Sequence, residues 1–309
     1  MTSVLQQQSK PWLTARYRGS QDKLNQQRSK SDASKDVQWY QPQIKTLPQS
    51  TVDFFEKYVG IKGTEAVASH IYHVRDKAWE VLPYPCIGLF RFLDFSIHLS
   101  PDYPTIVRRV QEGATFLDLG CCFGQDVRKL SNDSGVNSPN LIGSDLEPQF
   151  LQLGYELFAD KNTAKMTFSP GNVFADDFLE QYRGKIDIIY LASFLHLFNE
   201  DQQRVVMRQV NKLLRPRKGS MVFGRNLGAV KGGRFKMESI GWDLYRHDPQ
   251  TIAGLFQSNG LTDGDARAQD IQWEVTSSLS RYESANWDDD RREWQGGETK
   301  QMMFTAIRS

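Results

Sequence analysis

The sequence predicts an α/β protein with a doubly wound, mostly parallel sheet of seven strands and an N-terminal helical cap. The first observation is that short apolar runs alternate with segments of helical spacing between Thr115 and Gly224. Such alternation is typical of parallel strands joined by helices. The second is that two strand-like runs, 271–276 and 301–307, have no helical pattern between them. A final antiparallel hairpin at one edge of the sheet is therefore expected.

The composition of the 309 residues excludes several classes of protein. The chain has 38 Lys and Arg against 37 Asp and Glu, so there is no bulk attraction to nucleic acid or to an anionic membrane. Cys86, Cys121 and Cys122 lack metal-ligand spacing, so neither a disulfide framework nor a metal site is expected. No apolar run has the length of a membrane helix or the form of a signal peptide. These features predict a cytoplasmic protein without a membrane span.

Changes in composition divide the chain into three parts. Residues 1–36 are rich in Gln, Ser and Lys and poor in apolar residues, which predicts a disordered tail. Residues 37–110 carry aromatic and apolar residues at helical spacing and predict a cap that lines a substrate pocket over the sheet. The alternative is that these aromatic residues only join the cap to the core. Residues 111–309 contain the strands of the sheet.

The stretch 115–127 organises the core. An apolar run ends at Asp118, a loop with Gly120 and Gly124 follows, and a helical pattern then begins. Small residues let the backbone approach a ligand closely, and the N–H groups at the start of a helix face that ligand. A dinucleotide fingerprint requires glycine where Cys122 and Gln125 stand, so a dinucleotide oxidoreductase is disfavoured. An ordinary strand-to-helix turn is the alternative to a nucleotide-binding loop.

The second and fourth strands also end in polar residues. Asp145 closes the run 141–145, where a carboxylate can accept hydrogen bonds from both hydroxyl groups of a ribose, with a helix cap or turn as its alternative role. The run 185–192 is β-branched and apolar, which predicts a central parallel strand. His196 follows it and is the candidate general base or substrate contact, with a buried structural histidine as the alternative.

The segments after His196 complete the sheet. Asn199 is expected to cap the next helix in a capping box with Gln202. A fifth strand is predicted at 220–224, followed by a glycine-containing stretch that begins with Arg225. We interpret this stretch as a flexible basic loop that closes over the site and holds a substrate carboxylate through Arg225. A solvated surface loop is the alternative.

Four segments together resemble a known family. They are the loop 117–126 with its D-x-G-x-C-x-G pattern, the run Gly143-Ser144-Asp145-Leu146-Glu147-Pro148, the segment 191–198 and the phrase 78–86. They resemble the class I S-adenosylmethionine (SAM)-dependent methyltransferases, which have a Rossmann-like fold. More closely, they resemble the fungal carboxyl O-methyltransferases of meroterpenoid pathways of the andrastin, terretonin and austinol type. The resemblance covers about residues 37–309.

The resemblance implies SAM as the cofactor of the core, 111–309, and methyl esterification of a carboxylate on a meroterpenoid intermediate. The positions it implies for cofactor binding are Asp118, Gly120, Cys122, Gly124, Asp145, Leu146, Asn172 and Val173. Cys122 departs from the usual glycine. Asn172 stands where an Asp often hydrogen-bonds the adenine amino group, and an Asx turn is its alternative role. A small apolar acid is the expected partner, and a homodimer is left open.

Two other functions fit the same residues. One is O-methylation of a phenol or hydroxyl group on another natural product. The other is a protein with the SAM fold that transfers no methyl group and acts, for example, as a cyclase.

Overall fold

A computed structural model describes residues 34–237, 242–258, 272–281 and 299–309. Of the predicted disordered tail, 1–36, residues 1–33 lie outside the described residues. The division of the rest into a cap, 37–110, and a core, 111–309, stays a prediction. In the described part of the chain, no helix is both long and apolar enough to cross a membrane.

The residues before the first strand are helical, as predicted. The helices are α1 (Gln49–Phe54), α2 (Thr64–Val81), α3 (Pro85–Gly88) and α4 (Tyr103–Gln111). A π-helical turn, Phe55–Val59, extends α1, and 3-10 turns at Arg91–Leu93 and Ser96–Leu99 lead to α4. Residues spaced three and four apart on α2 are fully buried, which confirms the predicted apolar face. They are Val67, Ile71, Val74 and Ala78.

The strands confirm the predicted sheet. In chain order they are β1 (Phe116–Leu119), β2 (Leu141–Asp145), β3 (Thr167–Pro170), β4 (Ile188–Tyr190), β5 (Met221–Ala229), β6 (Gly233–Met237), β7 (Trp242–Arg246), β8 (Trp273–Ser280) and β9 (Thr299–Arg308). Within the described residues, seven strands form one sheet in the order β3-β2-β1-β4-β5-β9-β8. Strands β1 to β5 are parallel, and β9 is antiparallel to both of its neighbours. The strands β6 and β7 form a separate antiparallel hairpin.

Helices connect the strands on both faces of the sheet. They are α5 (Gln125–Ser134), α6 (Pro148–Leu157), α7 (Glu200–Leu213) and α8 (Pro249–Ser258). The predicted capping box at the start of α7 is confirmed. Asn199 Oδ1 accepts from Gln202 N at 3.0 Å, and Gln202 Oε1 accepts from Asn199 N at 3.0 Å.

Two predicted strand ends are wrong for physical reasons. The sequence predicts the third strand over 168–174, but it stops at Pro170 because the chain turns at Asn172, whose Oδ1 accepts from Phe174 N. The fifth strand continues to Ala229 because β9 pairs with it along its whole length. The predicted flexible basic loop is therefore wrong: it starts inside β5 and continues into the β6–β7 hairpin.

The aromatic residues of the cap pack against the loop after β1 and against the end of α6. The ring centroids of Phe92 and Phe123 are 4.9 Å apart, and those of Phe54 and Phe158 are 6.2 Å apart. Phe123 lies in the loop after β1, so the cap contacts the stretch that was predicted to bind a nucleotide. For these rings, the alternative in which aromatic residues join the cap to the core is the one observed.

Candidate functional site

The loop after β1 is a compact turn built on the end of β2. Ser144 O accepts from Gly120 N at 2.8 Å and from Cys121 N at 3.1 Å. Gly120 and Gly124 have φ of 82° and 68°, and Cys122 takes the same left-handed region at 53°. Glycine adopts this region without strain, whereas the Cβ of Cys122 makes it costly. The chain thus keeps the loop shape with cysteine in the place of the usual glycine.

Gly124 leaves no room for a side chain. A Cβ atom there would lie 2.2 Å from Phe168 Cε1 and 2.9 Å from Arg128 Nη1. Arg128 is fully buried and its Nη1 donates to Phe123 O, so relief of this overlap displaces the Phe168 ring, this contact with the loop, or both.

We expect Gly124→Ala to weaken SAM binding at least tenfold, which is a loss of about 1.4 kcal/mol. Gly184→Ala is the matched control, because Gly184 has the same φ of 68° but nothing within 4 Å of its Cβ position. In both variants an alanine must adopt a left-handed backbone conformation, which is strained. Only in Gly124→Ala does the new Cβ atom also overlap neighbouring side chains. Calorimetric titration with SAM compares them, and equal dissociation constants would contradict this prediction.

Asp145, at the end of β2, connects this strand to the loop after β1. Its Oδ2 accepts from Cys122 N at 2.8 Å, and its Oδ1 accepts from Glu147 N at 3.0 Å. The cap of α6 is Glu147, whose side chain accepts from Gln149 N, so Asp145 is a turn acid rather than the helix cap. Each carboxylate oxygen has a further lone pair for a ligand hydroxyl group. Burial raises the pKa of Asp145, and the N–H donors oppose that rise.

Buried acceptors without partners surround this loop. Among the described residues, Asp118 Oδ2, Gln125 Oε1 and Ser144 Oγ have no hydrogen-bond partner. Burial, followed by the neighbouring Asp126 and Asp145, raises the pKa of Asp118 well above its usual range. Buried polar atoms are normally paired, so unpaired acceptors at the carboxyl edge of the sheet fit a ligand that donates hydrogen bonds. The ammonium and ribose hydroxyl groups of SAM are donors of this kind.

The other predicted cofactor positions lie next to Asp145. Gly171 N donates to Asp145 O at 2.9 Å, which places Asn172 and Val173 beside the end of β2. Asn172 Oδ1 accepts from Phe174 N at 3.0 Å, so the Asx turn is present, and one lone pair remains for a ligand. Val173 is buried, whereas Leu146 is 44% exposed. Their roles toward adenine remain predictions.

A buried ion pair holds the loop from below. Arg128 Nε and Nη2 donate to the two carboxylate oxygens of Asp160 at 2.6 and 2.9 Å. Its Nη1 donates to Phe123 O at 2.6 Å, which is a backbone carbonyl of the loop. Tyr58 OH from the cap also donates to Asp160 at 3.0 Å. Sequence reasoning missed this network because its members are far apart in the chain and form no local motif.

His196 lies beyond β4, in a turn fixed by Asn226. Asn226 Oδ1 accepts from Phe194 N and Leu195 N, each at 2.9 Å. His196 Nδ1 lies 3.2 Å from Leu227 N, which can only donate, and 3.3 Å from Asn226 Oδ1, which already accepts from two backbone N–H groups. The shorter contact requires a lone pair on Nδ1, so we assign the ring proton to Nε2. Burial, and then the charge of Arg246, lowers the pKa of His196 to about 3. The histidine is therefore neutral near pH 7 and presents an N–H donor.

Arg225, the predicted substrate ligand, is part of β5 and is 4% exposed. Its Nη2 lies 3.2 Å from Asp94 Oδ2, so it forms an ion pair between the sheet and the cap. This contact gives Arg225 a structural role, and its binding of substrate remains a prediction. Arg246 on β7, which sequence reasoning missed, is also only 4% exposed.

Tyr84 places the cap over the same site. Burial raises its pKa, and the nearby Cys86, Asp145 and Cys122 raise it further. The segment 78–86, on which part of the family resemblance rests, thus lies next to both the loop after β1 and the end of β2. The site is bounded by the loop after β1, the cap and the turn that contains His196.

Comparison with known proteins relates both the helical segment before β1 and the sheet that follows it to methyltransferases. Residues 39–93 match the family model of the meroterpenoid methyltransferase N-terminal domain, and residues 116–217 match that of a methyltransferase domain. The O-methyltransferase atr3 of Stereocaulon alpinum is 37% identical over 89% of this chain and 77% of its own length. The chain belongs to the fungal meroterpenoid methyltransferases. It is a SAM-dependent enzyme of secondary metabolism, and its sheet is that of the class I methyltransferase fold.

A second relative and a solved structure are also similar to this chain. The asnovolin E/chermesin D methyltransferase nvfJ of Aspergillus novofumigatus is 45% identical over 61% of this chain and 68% of its own length. Among solved structures, phosphoethanolamine N-methyltransferase 2 of Haemonchus contortus, in complex with SAM, is 14% identical with a TM-score of 0.46. That alignment covers 85% of this chain and 60% of the other.

Proposed function

We propose that this methyltransferase esterifies a carboxylate group of an apolar meroterpenoid intermediate. One observation carries the proposal. His196, the candidate base, has a pKa of about 3, and its Nδ1 is already engaged by Leu227 N. It is a poor proton acceptor near pH 7, so the chemistry favours an acceptor that is already an anion. A carboxylic acid with a pKa near ~4 meets this condition, whereas a phenol near ~10 does not.

The residues around the site would hold the two reactants and exclude water. Asp145 and Asn172 would bind the ribose and adenine of SAM, and the unpaired acceptor of Asp118 would face its ammonium group. When bound, SAM supplies a methyl group that is already activated. A carboxylate oxygen would accept this methyl group, and the electron pair of the S–C bond would stay on sulfur. No proton moves, so the protein contributes alignment and the exclusion of water.

A partly buried aromatic ring at the site suits an apolar substrate. Phe194 lies against the Gly120 backbone, next to the turn that contains His196. A polycyclic terpenoid would make apolar contact with this ring. We further infer a cytoplasmic location.

Product analysis tests the proposed reaction. The enzyme is incubated with SAM and a panel of polycyclic terpenoid acids, each paired with the corresponding alcohol. We expect the acids to gain one methyl group, about 14 Da, and to lose it as methanol on mild alkaline hydrolysis, which cleaves esters and leaves ethers intact. Methylation of the alcohols alone would overturn the proposal in favour of a hydroxyl acceptor. Conversion without gain of a methyl group would indicate the cyclase-like alternative.

The pH dependence of kcat gives a second test. Between pH 6 and 9 the substrate carboxylate is fully ionised, and His196, with a pKa of about 3, is fully neutral. Both groups complete their titration below this range, so we expect kcat to change less than about twofold across it. A rate that rises roughly tenfold per pH unit would indicate that the acceptor must lose a proton, and would favour a phenol.

A further inference from the structure

Arg246 differs from the other buried arginines described above. Arg128 pairs with Asp160 and Arg225 pairs with Asp94. Arg246 Nη1 donates to Thr299 Oγ1 at 2.6 Å, and its guanidinium lies 4.4 Å from the centre of the Phe235 ring. Within the described parts of the chain, no carboxylate pairs with it. Among these residues, only a hydroxyl group and an aromatic face contact the guanidinium, and neither carries a compensating charge.

Such an arrangement is costly for the free protein. Removing a guanidinium from water costs several kcal/mol unless an anion and further hydrogen bonds compensate. Burial lowers the pKa of Arg246 to about 10, so it still carries its charge near pH 7. A buried cation of this kind is typical of a binding site whose ligand supplies the missing negative charge.

The position of Arg246 connects it to His196. Strand β7 lies against the turn that contains the histidine, because Tyr245 N donates to Phe198 O at 3.0 Å. Arg246 follows directly, and its charge is the strongest of the charges that depress the pKa of His196. Arg91 and Arg225 also act on this histidine, so the field around it is positive. The Nε2–H donor of His196 therefore lies in an environment that favours an anion.

We propose that Arg246 and the Nε2–H group of His196 together bind the carboxylate of the methyl acceptor. The inference deepens the proposed carboxyl methylation and rests on it. A guanidinium matches the two oxygens of a carboxylate, and a neutral imidazole adds one donor without adding charge. Methylation removes the negative charge, so the ester loses its attraction to Arg246. The same residue thus binds the substrate tightly and the product weakly.

The test uses Arg246→Met, which keeps an unbranched apolar stem and removes the charged guanidinium. Arg246→Lys keeps the charge, and Arg183→Met is the control for loss of an exposed arginine, since Arg183 pairs with Glu180 at the surface. Benzoate serves as the carboxylate probe, with benzyl alcohol as its neutral counterpart. The readouts are the melting temperature with each probe and the Kd for SAM.

We expect benzoate, and not benzyl alcohol, to raise the Tm of the wild type by about 2 °C or more. Arg246→Met should lose this effect, bind SAM within about twofold of the wild type, and melt at or above the wild-type temperature because a costly charge is gone. Arg246→Lys should retain part of the benzoate effect. Arg183→Met should retain all of it.

Three results would overturn the inference. They are a wild type that benzoate does not stabilise, an Arg246→Met variant that keeps the benzoate effect, and a tenfold weaker Kd for SAM, which would assign the cation to the cofactor. Failure of the proposed function is distinguishable from these. If the proposed function is wrong, the wild type will methylate hydroxyl groups and not acids. If only the role of Arg246 is wrong, the wild type and Arg246→Met will methylate acids equally well.

Discussion

Asp145→Ala is expected to lower the affinity for SAM at least tenfold, a loss of about 1.4 kcal/mol or more. The carboxylate is proposed to accept from the ribose hydroxyl groups, and it already accepts from Cys122 N at 2.8 Å. Its removal therefore takes away a ligand acceptor and also leaves the N–H group of the loop without its partner. Calorimetric titration with SAM measures the loss directly.

The neighbouring acid provides the control for this variant. Glu147 caps α6 through Gln149 N and lies two residues from Asp145. Glu147→Ala should cost about 1 kcal/mol of stability through the lost cap while the Kd for SAM stays within about twofold. If Asp145→Ala bound SAM as the wild type does, Asp145 would be only a turn acid.

Arg128→Met is expected to lower the free energy of unfolding by about 3–5 kcal/mol, because it leaves Asp160 buried without its partner. Asp160 is 4% exposed and accepts two hydrogen bonds from Arg128 at 2.6 and 2.9 Å. For a domain of this size, such a loss lowers the Tm by about 6 °C or more. Calorimetric melting gives the value, and SAM binding should weaken as well, since the loop carbonyl of Phe123 loses its donor.

Arg183→Met again serves as the control, because Arg183 and Glu180 form an exposed pair at 3.0 Å. Exposed pairs contribute less than about 1 kcal/mol, so its Tm should hardly change. A loss of stability in Arg128→Met no larger than that of Arg183→Met would contradict the structural role of the buried pair. The two buried arginines Arg128 and Arg246 thus predict opposite changes in Tm.

The backbone elements predicted correctly from the sequence have local signals. The turn that carries Asp118, Gly120 and Gly124 and the strand that ends at Asp145 are each specified by a few neighbouring residues, whereas the binding roles of these residues stay predictions. The capping box of Asn199 and Gln202 is equally local. Spacing and residue type were sufficient for these elements because the backbone requirements lie within a few positions of each other.

The parts that were missed depend on distant partners. β5 extends past Gly224 because it pairs with β9, about 80 residues later in the chain. Arg225 and Asn226 are polar, yet they are buried in this strand through contacts with Asp94 and with the turn after β4. The β6–β7 hairpin did leave a signal, since Arg234, Phe235 and Lys236 alternate in polarity. Because these residues are mostly basic, the sequence favoured a solvent-exposed loop at this position.

The aromatic contacts between the cap and the core have a consequence for synthesis of the protein. Phe54 and Phe92 are made early, whereas their partners Phe158 and Phe123 emerge from the ribosome later. Until then the apolar face of the nascent cap is exposed to chaperones and to aggregation. The match at residues 39–93 therefore ends before the ring partners of two of its aromatic residues. A fragment for expression would need to extend past Phe158 to bury this face.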